Sequence, residues 1–459
     1  MRRRTMQNTK WFVILVVIVL LAGCNSPSSQ PPADEAAVEP AAAATAKPTK
    51  EKKAPTATLV EQSLTDCVPK FTEMADSIVY ISGAEEDMGI ESIGRADFND
   101  DGHFDLLITR IVFATSIDSP MELLLNDGTG LMRIATEEMF PGGTPTAQHP
   151  AKLLLEDFNG DGVTDAYIAD SGMDSPPWPG NPNTLLLSQP GGTMIDASNT
   201  LPQHSDQTHR AATADVDQDG DMDVYVVNLG QFGNYLLEND GAGNFTINND
   251  ALPYEAKNNS VNWYTTAGFG DLNNDGYPEL IGGQGDPNKS SHIYWNDGFG
   301  KFSTPPVELP STPLGVNQLA LDVNAVDINE DGWLDIVMVY TTNEYTARYI
   351  QVLLNDGTGQ VEDQTDAHLS LPPSGNWIRF VKFFDINNDG HLDFLAAQIH
   401  GSPILYINDG SGNFKSKSLN FDLFEFAIAD FNKDGWLDLM NSGGTMPEFH
   451  STFISQGCP

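Results

Sequence analysis

Seven short segments of the chain repeat one arrangement of acids. Each carries a carboxylate at position 1, Asn or Asp at position 3, Asp at position 5, Gly at position 6 and a carboxylate at position 9. The first holds Asp97, Asn99, Asp101 and Asp105, and the second Asp157, Asn159, Asp161 and Asp165. The third has Asp throughout, at Asp215, Asp217, Asp219 and Asp223, and the fourth holds Asp271, Asn273, Asp275 and Glu279. The remaining three are Asp327, Asn329, Asp331 and Asp335; Asp385, Asn387, Asp389 and Asp393; and Asp430, Asn432, Asp434 and Asp438. Oxygen donors at alternate positions around a glycine turn suit a hard cation, and Ca²⁺ takes about six to eight oxygens. The alternative is a set of Asx turns that hold their own backbone without metal. The segments contain 25 of the 64 Asp and Glu residues, and carboxylates packed so closely repel unless a cation neutralises them. Ca²⁺ at up to seven sites is therefore expected, with the fourth weakest because Glu279 is one methylene longer than Asp.

An EF-hand needs a Glu at position 12, but that place holds Ile108, Ile168, Val226, Gly282, Met338, Ala396 and Asn441. Short apolar runs follow the loops instead, such as 105–109, 223–227 and 335–340, and these read as strands. A second apolar run then ends in Asn-Asp-Gly, beginning at Asn126, Asn239, Asn296, Asn355 and Asn408, which signals a hairpin into a further strand. One unit is thus strand, acidic loop, strand, long variable loop, strand, turn, strand. Successive acidic loops start 45 to 60 residues apart. Seven such units predict an all-β fold, a seven-bladed propeller of four-stranded antiparallel blades.

These loops and turns resemble the FG-GAP and VCBS repeat families, the propeller type of integrin α-subunit heads and some fungal lectins, over roughly Cys67 to Pro459. The Phe-Gly and Gly-Ala-Pro words of FG-GAP are mostly missing, with only Phe269-Gly270 and Gly282-Gly283 approaching them. The acidic loops match throughout, so VCBS-like is the closer label and integrin-like ligand binding is not implied. The resemblance implies a binding module for protein or glycan ligands. It also leaves open a polysaccharide-active, lyase-like enzyme working from the face opposite the acidic loops, because such propellers can carry that activity. No GxSxG, HExxH or clustered His ligand set is present, so no catalytic residue is assigned.

A formal charge of -41, from 23 Lys and Arg against 64 acids, excludes nucleic acid as a partner. The N-terminus is different in kind. Arg2, Arg3, Arg4 and Lys10 precede an apolar run from Trp11 to Ala22 that is too short to span a bilayer, and Leu21-Ala22-Gly23-Cys24 follows. This resembles a bacterial lipoprotein signal over 1–24, with Cys24 the lipidated residue. Residues 25–58, rich in Pro, Ala, Ser and Lys, form a flexible tether, and 59–459 form the propeller. Asn25 is not the Asp that marks inner-membrane retention in enterobacterial lipoproteins, so a lipid-anchored place at the outer membrane or cell surface of a bacterial envelope is expected.

Cys67 and Cys458 remain, one at each end of the propeller, and an exported chain with one such pair is expected to bond them. The last unit lacks a fourth strand, and the segment after Cys67 has that strand's pattern. The chain ends should therefore share a blade. Loops on the face opposite the acids carry Trp178, Phe232, Tyr345, Arg348, Trp377 and His400, which form the candidate ligand face.

Overall fold

The protein was analysed as a computed structural model, which describes residues 67–74, 79–80, 88–112, 115–230, 232–303, 305–370, 376–399, 401–419, 421, 425–442 and 449–458. The expected signal, Cys24, the tether and His400 lie outside these residues.

Among the described residues seven antiparallel sheets follow one another as blades, and a small two-stranded sheet pairs Ser119–Pro120 with Thr146–Ala147. Blade one is Met88–Ala96, Asp105–Val112, Glu122–Asn126 and Met132–Ile134, hydrogen-bonded in that order. Blades two to six repeat it, with first strands Pro150–Glu156, Thr208–Ala214, Tyr264–Gly270, Gln318–Val326 and Ile378–Phe384. In every blade the second strand begins at position 9 of the acidic loop, as at Asp165–Asp170 and Asp335–Thr342. Blade seven is built from both ends of the chain. Glu425–Ala429, Asp438–Ser442 and Phe449–Ser455 take Phe71–Glu73 as the outermost strand, with Phe71 opposite Ser455. Cys67 and Cys458 are bonded, with Cα atoms 6.0 Å apart.

The second strands explain why their sequences run apolar instead of alternating. Asp105–Val112, Asp165–Asp170 and Asp223–Asn228 are buried at every residue, because each face packs on a neighbouring blade. The core is accordingly seven seams rather than one centre. One seam joins Ile168 and Leu186 to Leu107 and Leu123, and the ring-closing seam joins Ile90 and Ile108 to Ala427 and Phe431. Innermost strands converge and need small residues. A Cβ on Gly94 would lie 2.6 Å from Leu153 of the next blade, and one on Gly270 would lie 2.4 Å from Ala325.

Candidate functional site: the acidic-loop face

Each acidic loop reverses the chain through two left-handed residues. Position 6 is always Gly, with φ between +83° and +99°, but position 4 is also left-handed and holds Asp100, Gly160, Gln218, Asn274, Glu330, Asn388 and Lys433. The shape turns the position-1 carboxylate inward. Asp97 accepts N–H bonds from Asp101 (3.0 Å) and Gly102 (2.6 Å), and Asp327 accepts the same pair from Asp331 and Gly332. Asn at position 3 accepts the position-5 N–H, and in loops one, five, six and seven it also donates through Nδ2 to the position-5 carboxylate, at 3.0 Å from Asn99 to Asp101 and 3.0 Å from Asn387 to Asp389; Asn159 turns its Nδ2 to Asp165 instead.

Position 9 is buried. Asp105 is 0% exposed, and its two oxygens accept N–H bonds from Phe98, at position 2, and from Asn126, at the end of the third strand. Asp165, Asp223, Asp335, Asp393 and Asp438 repeat both bonds, which tie loop, second strand and third strand together. Burial pushes Asp105 up to about 7, more than those bonds lower it, and nearby acids at positions 5 and 1 add to the rise. The same cause lifts Asp223 and Asp393 to about 7 and Asp165, Asp335 and Asp438 to about 6. Glu279 rises furthest, to about 8, and its Oε1 is buried without a hydrogen bond of ordinary geometry. The Asn296 amide acts on that carboxylate only as its weakest influence.

The third loop departs from its sisters. Asp215, Asp217 and Asp219 place carboxylate oxygens within 4.8 Å of one another, and Asp215 Oδ1 is buried without a partner. With Asp in place of Asn at position 3, no Nδ2 is available to quiet Asp219. Burial first, and then the neighbouring carboxylates, raise Asp217, and the same causes raise Asp221.

Three further roles on this face were not read from the sequence. The Asn of the Asn-Asp-Gly turn is a staple between blades. Its Nδ2 donates to the position-2 carbonyl of the preceding blade: Asn126 to Phe431 (2.9 Å), Asn239 to Phe158 (2.9 Å), Asn296 to Val216 (2.7 Å), Asn355 to Leu272 (2.6 Å) and Asn408 to Ile328 (2.8 Å). The turn itself is a five-residue loop, with Asn126 paired to Met132, rather than the tight hairpin its composition predicts, because the Asn oxygen is engaged by the N–H groups of Gly128 and Gly130. Blades two and seven have Ser188 and Ser455 at this place; Ser188 turns instead to Asp165 (2.8 Å). In five loops position 7 supplies a ring, from His103, Tyr277, Trp333, His391 or Trp436, that covers a glycine of the neighbouring turn. A Cβ on Gly410 would lie 2.5 Å from His391, and one on Gly357 would lie 2.6 Å from Trp333. In loops three to six position 4 reaches the next blade, with Gln218 Nε2 on Gly276 O, Asn274 Nδ2 on Gly332 O at 2.9 Å, Asn388 Nδ2 on Gly435 O at 2.7 Å, and Glu330 against His391.

On the opposite rim the candidate ligand residues are only partly open. Tyr345 and Trp377 touch each other, with ring centroids 5.0 Å apart, and pack on the seam between blades five and six. Arg348 bridges that seam to Gln398 and to the Asn376 carbonyl. Trp178 and Phe232 are half-buried in separate loops. Among the described residues the most open large apolar side chains are elsewhere: Phe299, 80% exposed in the turn of blade four, and Tyr254, 60% exposed on a short helix between blades three and four.

Comparison with curated proteins gives no match. Among solved structures the chain is similar to BBS1N in its complex with ARL6DN, soaked with mercury, at 9% identity and a TM-score of 0.48, covering 85% of this chain and 97% of that one. It is also similar to the Photorhabdus luminescens Tc holotoxin pore (19% identity, TM-score 0.39, 84% and 16% covered) and to the Neurospora crassa Pan2 WD40 domain (9%, 0.44, 84% and 100%). The FG-GAP-like repeat family matches residues 97–168, 157–226, 271–338, 327–396 and 385–440, stretches that include all seven acidic loops. These matches cover well over half of the sequence, and the chain belongs to the FG-GAP-like repeat family.

Proposed function

We propose that this chain is a calcium-stabilised propeller, lipid-anchored at a bacterial cell envelope, that serves as a binding module for protein or glycan ligands. The observation that carries the calcium reading is the third loop. Three carboxylates close together, one with a buried oxygen lacking any donor, form an arrangement that is costly without a cation and favourable with one. Hard oxygen ligands suit Ca²⁺, and the other loops offer the same frame with a neutral Asn at position 3. Asp215, Asp217 and Asp219, with their counterparts in the other loops, would hold the ion. Its contribution is to neutralise charge and to fix strand connections, with no chemical step. The N-terminal anchor and the envelope location rest on the lipobox-like ending at Cys24.

The test has two arms. Calorimetric titration of Ca²⁺ into EDTA-stripped protein should show binding, and Asp217→Asn should weaken one class of sites while raising the stability of the stripped protein. A stripped Asp217→Asn protein no more stable than the parent would refute the reasoning. For ligands, a glycan array probed beside an envelope-extract pull-down should return one class of partner that depends on Ca²⁺. An array and pull-down both empty in Ca²⁺ would reject the binding-module reading.

A further inference from the structure

The axis of the propeller collects charge that the acidic surface does not prepare one to expect. Only 15 of the 23 Lys and Arg residues lie in 59–459, and five of those 15 line the central channel: Arg95, Lys152, Arg210, Arg379 and Lys382. Three acids face them, Glu91, Asp322 and Glu425. The channel holds two chambers of about 410 and 360 Å³ that share Lys152, Val323, Asn324 and Phe383 in their walls. Volumes of this size accommodate small molecules.

Backbone irregularity aims these side chains. Six first strands break register with their second strands, leaving Glu91, Ala151, His209, Thr265, Leu321 and Arg379 as the extra residues. A bulge redirects the side chains beside it, and the recurrence in six blades makes it a feature of the channel wall.

The charges do not all pair. Arg379 meets Glu91 at 2.6 Å and Glu425 at 3.7 Å, and Lys382 meets Glu425 at 3.2 Å and the Phe426 carbonyl at 2.7 Å. These bonds consume two of the three acids. Asp322 already accepts from the Val381 N–H and from Asn324 Nδ2 through one oxygen. Among the described residues Arg210 has only the Ala151 and His209 carbonyls, both on one nitrogen, and no carboxylate at ion-pairing distance. The Lys152 ammonium, in the wall of both chambers, has no hydrogen bond and no ion pair among the described residues. Both side chains are half-buried in the channel wall, and burial lowers the pKa of both groups, with the Asp322 carboxylate across the channel working against that shift at Lys152 and the Arg379 charge adding to it at Arg210. A fold that serves only to close a ring would gain by an apolar residue at Lys152.

We propose that the channel is a ligand site, distinct from the acidic loops, in which Lys152 and Arg210 take an oxyanion, carboxylate or phosphate, carried on a small molecule. Two cations with free donors and a fixed guanidinium plane suit an oxyanion, and the walls at Phe380, Phe383 and Val323 fit a compact organic body behind it. The inference does not depend on calcium.

The purified full chain, without added Ca²⁺ and at fixed ionic strength, is titrated with succinate and with inorganic phosphate by calorimetry and thermal melting. Saturable binding of at least one is expected, and the stronger of the two identifies the oxyanion. Lys152→Met should melt higher than the parent without ligand and bind at least about tenfold more weakly, the loss of one charge-assisted bond. Lys152→Arg should retain binding, and Arg210→Gln should lose it to the same degree. The exposed Lys417→Met should bind as the parent does. No saturable binding of either anion, or binding unchanged in both Lys152→Met and Arg210→Gln, would overturn the proposal. So would a Lys152→Met protein that melts lower than the parent, since Lys152 would then be structural.

Discussion

The asparagine staple can be measured directly, because two blades already omit it. Asn355 is 4% exposed, and its side chain makes four bonds: Nδ2 to Leu272 O at 2.6 Å and to Leu334 O at 3.0 Å, and Oδ1 from the N–H groups of Gly357 at 3.1 Å and Gly359 at 3.2 Å. Asn355→Ser is the substitution blades two and seven carry naturally. A serine is too short to reach Leu272, which is fully buried, so the carbonyl on the far side of the seam loses its donor and gains no water. Leaving a buried acceptor unsatisfied costs about 1–3 kcal/mol, and loosening the two turn amides adds roughly 1 kcal/mol. The expected loss is thus about 2–4 kcal/mol. Urea unfolding followed by tryptophan fluorescence should show a lower midpoint with an unchanged slope, because the surface exposed on unfolding is the same. Asn408→Ser, which breaks the bond to Ile328 at 2.8 Å, should behave alike at the next seam. A change below about 0.5 kcal/mol in both variants is what an ordinary surface position gives, and it would refute the staple.

Calcium at 5 mM (a proposed condition) should raise the melting temperature over EDTA, on the order of 1 kcal/mol for each occupied site of millimolar affinity; equal melting in the two buffers would contradict the calcium reading. Cys67→Ser opens a closed loop of sequence separation 391 and should destabilise by up to roughly 6 kcal/mol in the chain-entropy limit, while Ca²⁺ binding at the middle blades persists. Its check is the melting curve set against the same curve under reductant, and two identical curves for parent protein with and without reductant would show that strand pairing alone closes the ring. His209 donates from Nδ1 to the Thr265 carbonyl at 2.7 Å, and burial, then the Arg210 charge, lowers its pKa to about 3. Because the unfolded chain takes up this proton first, the stability tied to the neutral ring is complete above about pH 6.5 and is lost as pH falls toward 3. His209→Gln should therefore flatten the fall in stability between about pH 6.5 and 4 relative to the parent, and parallel curves would exclude the effect.

What the sequence made legible follows from where the physics is local. An acidic loop needs its donors at fixed spacing within nine residues, so seven loops, the strands after them and the seven blades could all be read directly. The shared blade at the chain ends was equally local, since the last unit stops one strand short and the segment after Cys67 supplies it. The turn asparagine misleads for the opposite reason. Its composition is that of a hairpin, but its amide bonds a carbonyl 80 or more residues away, and nothing near Asn296 or Asn408 announces Val216 or Ile328. The same holds more strongly for the channel. Lys152, Arg210 and Arg379, the last accompanied by Lys382, stand on three different first strands, in sequences that read as ordinary half-buried strands. Only ring closure brings them together, and only the register breaks point them inward. The rim aromatics show the converse, for Tyr345 and Trp377 read as exposed recognition residues but spend much of their surface on the seam beneath them. In a repeat ring, local chemistry therefore predicts the blade, and chemistry between blades has to be sought where equivalent positions of different repeats carry unlike residues: Asp217 among asparagines, Ser188 and Ser455 among asparagines, and Lys152 opposite Asp322 on strands that otherwise share one template.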